Sequence, residues 1–156
     1  MYKITILVLG KFKEPAFLDL EKEYLKRLKM YAKVKVLELP EVPYRDTSQI
    51  EQVREKEAAI IQKHLPKNSI VILLTENGQL RNSLDFAAFF DRIGNLGQEL
   101  VFVIGSGVGL HPKLIEISNY QISLSPLTFT HNLARVLIEE QLYRACTIIH
   151  GKEYHK

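Results

Sequence analysis

The sequence predicts an α/β fold with a mainly parallel sheet flanked by helices, built as one domain over residues 1–156. Three observations predict it. Residues 4–9, 69–75 and 100–104 are nearly continuous apolar runs, the mark of strands covered on both faces. Between them lie stretches with apolar residues at helical spacing, the alternation that parallel strands require. The length, with 46% hydrophobic residues, suffices for one sizeable core.

Taken in order, residues 4–9 form a strand that ends at Gly10. Pro15 suits the first turn of a helix. Phe17, Leu18, Leu25, Leu28 and Tyr31 then give an apolar face to a helix over 16–32. Lys22, Lys26, Lys29 and Lys33 recur at four, three and four residues and so share a face. That stripe is either a solvated surface or a track for phosphates. Residues 34–39 form a second strand, and Pro40 and Pro43 bracket a loop. Thr47 or Ser48 caps the next helix, with Glu51 and Gln52 near the capping-box positions; it runs to about His64, and its strongly charged centre, Glu51 to Lys63, puts one face in solvent.

After the strand at 69–75, Glu76-Asn77-Gly78-Gln79 reads as a turn. Asn82 or Ser83 opens a helix to about Ile93, with Leu84, Phe86, Ala87, Phe90 and Ile93 on its apolar face, closed by Asn95 and Gly97. Residues 100–104 are the fourth strand, and a further helix and a short strand follow before residue 124. Residues 131–149 form a long helix with Leu133, Val136, Leu137, Leu142 and Ile148 buried, carrying Arg135, Glu139, Glu140 and Arg144 as well.

Composition narrows the class. No apolar run approaches the roughly 18 residues of a membrane span. The N-terminus runs straight into a strand pattern without a cleavable signal. The single cysteine, Cys146, sits at an apolar helical position, which points to packing rather than catalysis. A cytoplasmic location is expected. The net charge of +3 is too mild to argue for nucleic acid by itself.

Two loops carry the functional signal. Gly105, Gly107 and Gly109 lie between a strand and a helix, where glycines let the backbone turn sharply and approach a ligand. A dinucleotide site of the Rossmann type needs G-x-G-x-x-G in the first βαβ unit and an acidic residue about 20 positions on. Here the spacing is G-x-G-x-G, late in the chain, and the next strand ends near Ser123 or Ser125. A tight turn without a ligand is the other reading. The second loop, Leu124-Ser125-Pro126-Leu127-Thr128-Phe129-Thr130, mixes apolar side chains with hydroxyls directly after a strand. Such a mixture fits a wall that holds an adenine by backbone hydrogen bonds and apolar contact. The ending, Gly151 to Lys156, is either a disordered tail or, through Tyr154 and His155, a contact to a base.

At these residues the sequence resembles the bacterial ribosomal RNA large subunit methyltransferase H family. The resemblance spans essentially the whole chain. It is carried by Ile4 to Lys11, Glu55-Lys56-Glu57, Phe102 to Gly105 with Gly109-Leu110, Leu124-Ser125 with Leu127-Thr128-Phe129, His131, Arg135-Val136-Leu137, Glu140 to Ala145, and Tyr154-His155-Lys156. It departs at Ser106, where the family commonly has glycine, and at Thr130, where it commonly has proline.

The resemblance implies a SPOUT enzyme whose C-terminal part is tied in a trefoil knot, an exception to the rule that chains are unknotted. It implies transfer of a methyl group from S-adenosyl-L-methionine to N3 of a pseudouridine in 23S rRNA, by a homodimer with its site at the subunit interface and without a metal. The cofactor would lie against Leu74, Gly105, Leu124, Ser125, Pro126, Leu127, Thr128 and Phe129. N3 carries a proton that must leave, so a base is needed. His155 is the first candidate and His131 the second. Arg144 would stabilise the developing anion, and Tyr154 would position the ring. Lys22, Lys26, Lys29 and Arg135 are the expected RNA contacts. A small domain with no appended RNA-binding module is expected to act on the assembled ribosome. Rival readings are a Rossmann-type nucleotide enzyme, an RNA-binding module without activity, and a dimeric scaffold.

Overall fold

The computed structural model describes residues 1–156. The elements are β1 (Tyr2–Leu9), α1 (Pro15–Leu28), β2 (Ala32–Leu39), α2 (Ile50–His64), β3 (Ser69–Leu80), α3 (Ser83–Gly94), β4 (Glu99–Ile104), α4 (Pro112–Ile117), β5 (Tyr120–Ser123) and α5 (His131–Ile149). A short 3-10 turn, Thr47–Gln49, precedes α2. The five strands form one sheet in the order β2-β1-β4-β3-β5, and every neighbouring pair is parallel.

The apolar runs make both faces of the sheet dry. Ile4, Ile6, Ile70, Ile72, Leu100 and Phe102 point to one side, where Leu28, Phe86, Phe90, Ile138 and Leu142 of α1, α3 and α5 cover them. Leu7, Leu9, Leu73, Val101 and Val103 point to the other, against Ala58 and Ile61 of α2 and Leu114 of α4. Period-two alternation within an all-apolar run thus feeds two separate cores. Cys146 is wholly buried in the larger one, and burial pushes its thiol up to about 12, so it stays protonated and acts as packing.

Several expected boundaries shift. The first helix stops at Leu28 rather than running to residue 32, because Ala32 already pairs with Tyr2 in the sheet. Lys33 therefore belongs to β2 and leaves the lysine stripe, while Lys22, Lys26 and Lys29 remain exposed. Asp46, not Thr47 or Ser48, makes the cap before α2, accepting from the Ser48 backbone N–H. Leu18, Leu84 and Leu133, expected on apolar faces, are exposed at the margins of their helices.

The segment read as a turn at 76–79 is the continuation of β3. Its pairing with β5 shifts between Leu74 and Gln79. Gly78 makes that possible: a Cβ there would lie 2.4 Å from the carbonyl carbon of Ile122. The glycine serves a close approach of two backbones, not a reversal of the chain.

Candidate functional site

In an open parallel sheet, ligands bind beyond the carboxyl ends of the strands, where crossovers diverge. Here Leu74 of β3 pairs with both Ile104 of β4 and Ile122 of β5, and Val8 of β1 also pairs with Ile104. The ends of these strands are therefore level, and the loops that leave them share one edge.

The loop after β4 is a built turn. Gly105 is buried directly after Ile104. The Gly109 N–H donates to the Ser106 carbonyl at 3.0 Å, and Gly109 takes a φ of +79°, which a residue with a Cβ adopts only under strain. Nothing lies within 4 Å of where a Cβ on Gly107 would be, so that side of the loop faces open space. From α2, Arg54 Nε donates to the Val108 carbonyl at 2.5 Å, and Glu57 accepts from the Ser106 hydroxyl at 2.7 Å.

The loop after β5 is also held. The Ser123 hydroxyl donates to the Ser125 carbonyl at 2.9 Å, and Ser125 Oγ accepts from the Leu127 N–H at 2.9 Å. Thr128 reaches Glu76 on the extension of β3. Thr130 caps α5, accepting from the Leu133 N–H, with a φ of −61°, the angle a proline would have fixed. Threonine thus holds the φ of a proline and adds a cap. Leu127 is 74% exposed, which is unusual for a leucine on a restrained loop. Leu74 and Leu124 are half-buried at the same edge, and the N–H groups of Thr128 and Phe129 have no partner in the chain. Apolar walls beside unpaired amides suit an adenine nucleoside such as that of S-adenosyl-L-methionine.

The other candidates separate into two places along α5. His131 stands at its start, with Nε2 3.7 Å from Glu41 Oε1. Arg144 lies thirteen residues further on, about 20 Å along the axis at 1.5 Å per residue. There the C-terminal tail folds back rather than trailing free. Arg144 grips Glu140 through Nε at 3.0 Å and Nη2 at 2.6 Å. Tyr154 donates to Glu140 at 3.1 Å and packs edge-on against Tyr143. Burial, then the charge of Glu140, pushes the Tyr154 phenol up to about 12, so it remains a donor at neutral pH. His155 Nδ1 lies 3.3 Å from Arg144 Nη1. A guanidinium only donates, so Nδ1 is the acceptor and a neutral ring carries its proton on Nε2.

Arg135, expected at the RNA surface, is 3% exposed. Its guanidinium binds Glu21 at 2.6 Å and Glu38 at 2.9 Å and stacks 4.0 Å from the Phe12 ring centroid. Charge pairing and ring stacking hold it there, and within one chain it ties α1, β2 and α5 together.

Residues 2–155 match the sequence profile of the family described as "Predicted SPOUT methyltransferase". The chain belongs to the SPOUT methyltransferase family. Among its relatives, the protein named Ribosomal RNA large subunit methyltransferase H of Desulforamulus reducens is 42% identical over the whole of both chains. Those of the same name from Halothermothrix orenii and Clostridium tetani are 40% and 39% identical and match 98% or more of each chain. Among solved structures, a putative methylase family protein from Neisseria gonorrhoeae superposes with a TM-score of 0.52 at 12% identity, covering 91% of this chain and 82% of that one. This last likeness concerns the fold alone.

Sequence reasoning missed two buried acids of this SPOUT chain. Glu57 and Glu139 are 2% and 0% exposed, yet each stands in a helix at a position that spacing alone reads as polar decoration. Neither oxygen of Glu139 has a hydrogen-bond partner, and Arg135 Nε is 3.9 Å away. Burial, reinforced by the charge of Glu21 and only partly offset by Arg135, pushes the Glu139 carboxyl up to about 9. Between the ordinary carboxyl range and that value the folded chain holds a proton that the unfolded chain has released. Stability therefore falls as pH rises through the window, by about 1 kcal/mol per pH unit. Glu139→Gln removes this titration while keeping the shape. Urea midpoints at about pH 6 and about pH 8.5 should fall further for the parent than for the variant; equal declines would remove Glu139 as the cause.

Proposed function

We propose that the chain is an S-adenosyl-L-methionine-dependent methyltransferase that modifies N3 of a pseudouridine in 23S rRNA on the assembled ribosome. One observation carries the reading. The loops of the family pattern, 105–110 and 124–130, leave level strand ends on one edge of the sheet, in a chain matched end to end by proteins named Ribosomal RNA large subunit methyltransferase H.

When bound, S-adenosyl-L-methionine supplies an electrophilic methyl carbon on a sulfonium. Leu74, Gly105 and the segment Leu124, Ser125, Pro126, Leu127, Thr128 and Phe129 would hold it through apolar contact and backbone amides. The chain's remaining task is to align N3 and remove its proton. His155 is the first candidate base. With Arg144 on Nδ1, the ring offers a donor at Nε2, so accepting the N3 proton requires Nδ1 to exchange Arg144 for the substrate. Arg144 would then face the developing negative charge while Glu140 keeps it oriented. Tyr154, its hydroxyl held by Glu140, would position the ring by its aromatic face. His131 is the alternative base, at the loop end of α5. No metal has a part in this scheme.

The two ends of α5 explain why a homodimer belongs to the proposal. Loops at one end and the tail at the other stand too far apart along one helix to meet a single substrate, whereas two antiparallel copies would bring the loops of one to the tail of its partner. The trefoil knot is likewise part of the proposal, as the family resemblance implies it. No helix is long and apolar enough to cross a membrane, which fits the cytoplasm of a ribosome modifier.

Labelled methyl should pass from S-adenosyl-L-methionine to ribosomes lacking the modification and map to one pseudouridine, with little on free rRNA. Label elsewhere, or none, would overturn the assignment. In the same assay His155→Ala should lose about 10²–10⁴-fold in turnover; unchanged turnover eliminates it as the base. Changing Lys22, Lys26 and Lys29 together to Gln should weaken ribosome binding and reduce its salt slope by about 2. An unchanged slope would make the stripe a solvated surface.

A further inference from the structure

The glycine loop does not stand alone: a single buried carboxylate ties it to the loop after β2. We propose that Glu57 is a positioning residue that fixes the shape of the 105–110 loop for its cofactor, acting through the Ser106 hydroxyl and the Val42 backbone amide. The inference rests on the reading of that loop as part of the cofactor site.

Glu57 is 2% exposed on α2. Its Oε2 accepts from Ser106 Oγ at 2.7 Å and its Oε1 from the Val42 N–H at 3.1 Å. Three residues earlier on the same helix, Arg54 donates to the Val108 carbonyl. One face of α2 thus holds the loop at two points on either side of Gly107, the residue open to space. The Val42 bond extends the tie across the edge of the sheet. Its neighbour Glu41 lies over Gly10, at the end of β1, and faces His131 at the start of α5. A carboxylate is the side chain that accepts from two donors on opposite sides at once. It is also costly to bury, and here it sits beneath a ligand loop rather than in a neutral part of the core.

Ser106 supplies the hydroxyl of the tie. A glycine at this position would have no hydroxyl to offer. The added hydroxyl anchors the loop where glycine would leave the backbone free.

The test uses the full-length protein and its variants. Parent, Glu57→Ala, Glu57→Gln and Ser106→Ala are titrated with S-adenosyl-L-methionine by calorimetry, and the Val42 and Val108 amides are followed by hydrogen exchange. Glu57→Ala should weaken binding about tenfold or more and speed exchange at both amides. Ser106→Ala should weaken it several-fold, and the double variant should be no weaker than Glu57→Ala. Glu57→Gln should restore most of the affinity, since its carbonyl accepts from Val42 and its amide donates to Ser106 Oγ. In turnover the loss should appear in KM for the cofactor, with kcat at saturation and KM for ribosomes retained. A general loss of stability would not divide in this way. If Glu57→Ala fails to fold, Ser106→Ala carries the test, because it removes only a loop hydroxyl. Parent binding with equal affinity in Ser106→Ala and unchanged exchange at Val108 overturns the inference. Failure of the parent itself to bind overturns the cofactor reading first.

Discussion

Parallel strands cannot be joined by tight turns, so each must return by a crossover, and every loop at the carboxyl edge is free to diverge. In this chain that freedom is constrained by register. Leu74, Ile104 and Ile122 stand side by side, and Val8 stands beside Ile104. The glycine loop and the hydroxyl-rich loop depend on this alignment to share one site. The alignment in turn depends on β3 running past its neighbours and lying almost against β5, a contact that only glycine at position 78 allows.

Around that edge the structure places buried charge where a simpler domain would place apolar side chains. Arg135 joins Glu21 and Glu38 and lies beside Glu139, drawing α1 and β2 onto α5. Glu57 draws the loops after β2 and β4 onto α2. Buried ion pairs contribute little net stability compared with well-packed apolar residues, but their bonds are directional. Each fixes the angle of a segment that leads into the candidate site. Thr130 does the same by capping α5 at an angle that a proline would adopt.

The sheet and its order of elements were legible because unbroken apolar runs have only one comfortable setting. Residues 4–9 and 100–104 are fully buried as read. Boundaries failed where a long-range partner overrode a local signal. Glu76-Asn77-Gly78-Gln79 has the composition of a turn, yet pairing with β5 extends it. The lysine repeat continues to Lys33, yet pairing with β1 ends the helix at Leu28. The two loops were legible as unusual, since an ordinary surface loop does not carry Leu127 and Phe129 between hydroxyls. The buried acids were not legible. Helical spacing reports which face a residue occupies, but not that a neighbouring element will bring a guanidinium or a hydroxyl to satisfy a carboxylate on the inner face. Nor did the sequence show that the tail would fold back on Glu140 and Arg144.

In the proposed dimer the site is shared between two copies, with the strand-end loops of one chain meeting the tail of its partner. Complementation tests it most directly. A cofactor-loop variant, Gly105→Val, and a tail variant, His155→Ala, are purified separately, checked for native thermal unfolding and shown to be inactive. They are then co-expressed and isolated as mixed dimers. A shared site leaves one intact site in each mixed dimer, so methyl transfer should return to about half of the parent's rate per dimer. A site confined to one chain leaves both copies broken, and mixed dimers as inactive as either variant alone would contradict the account.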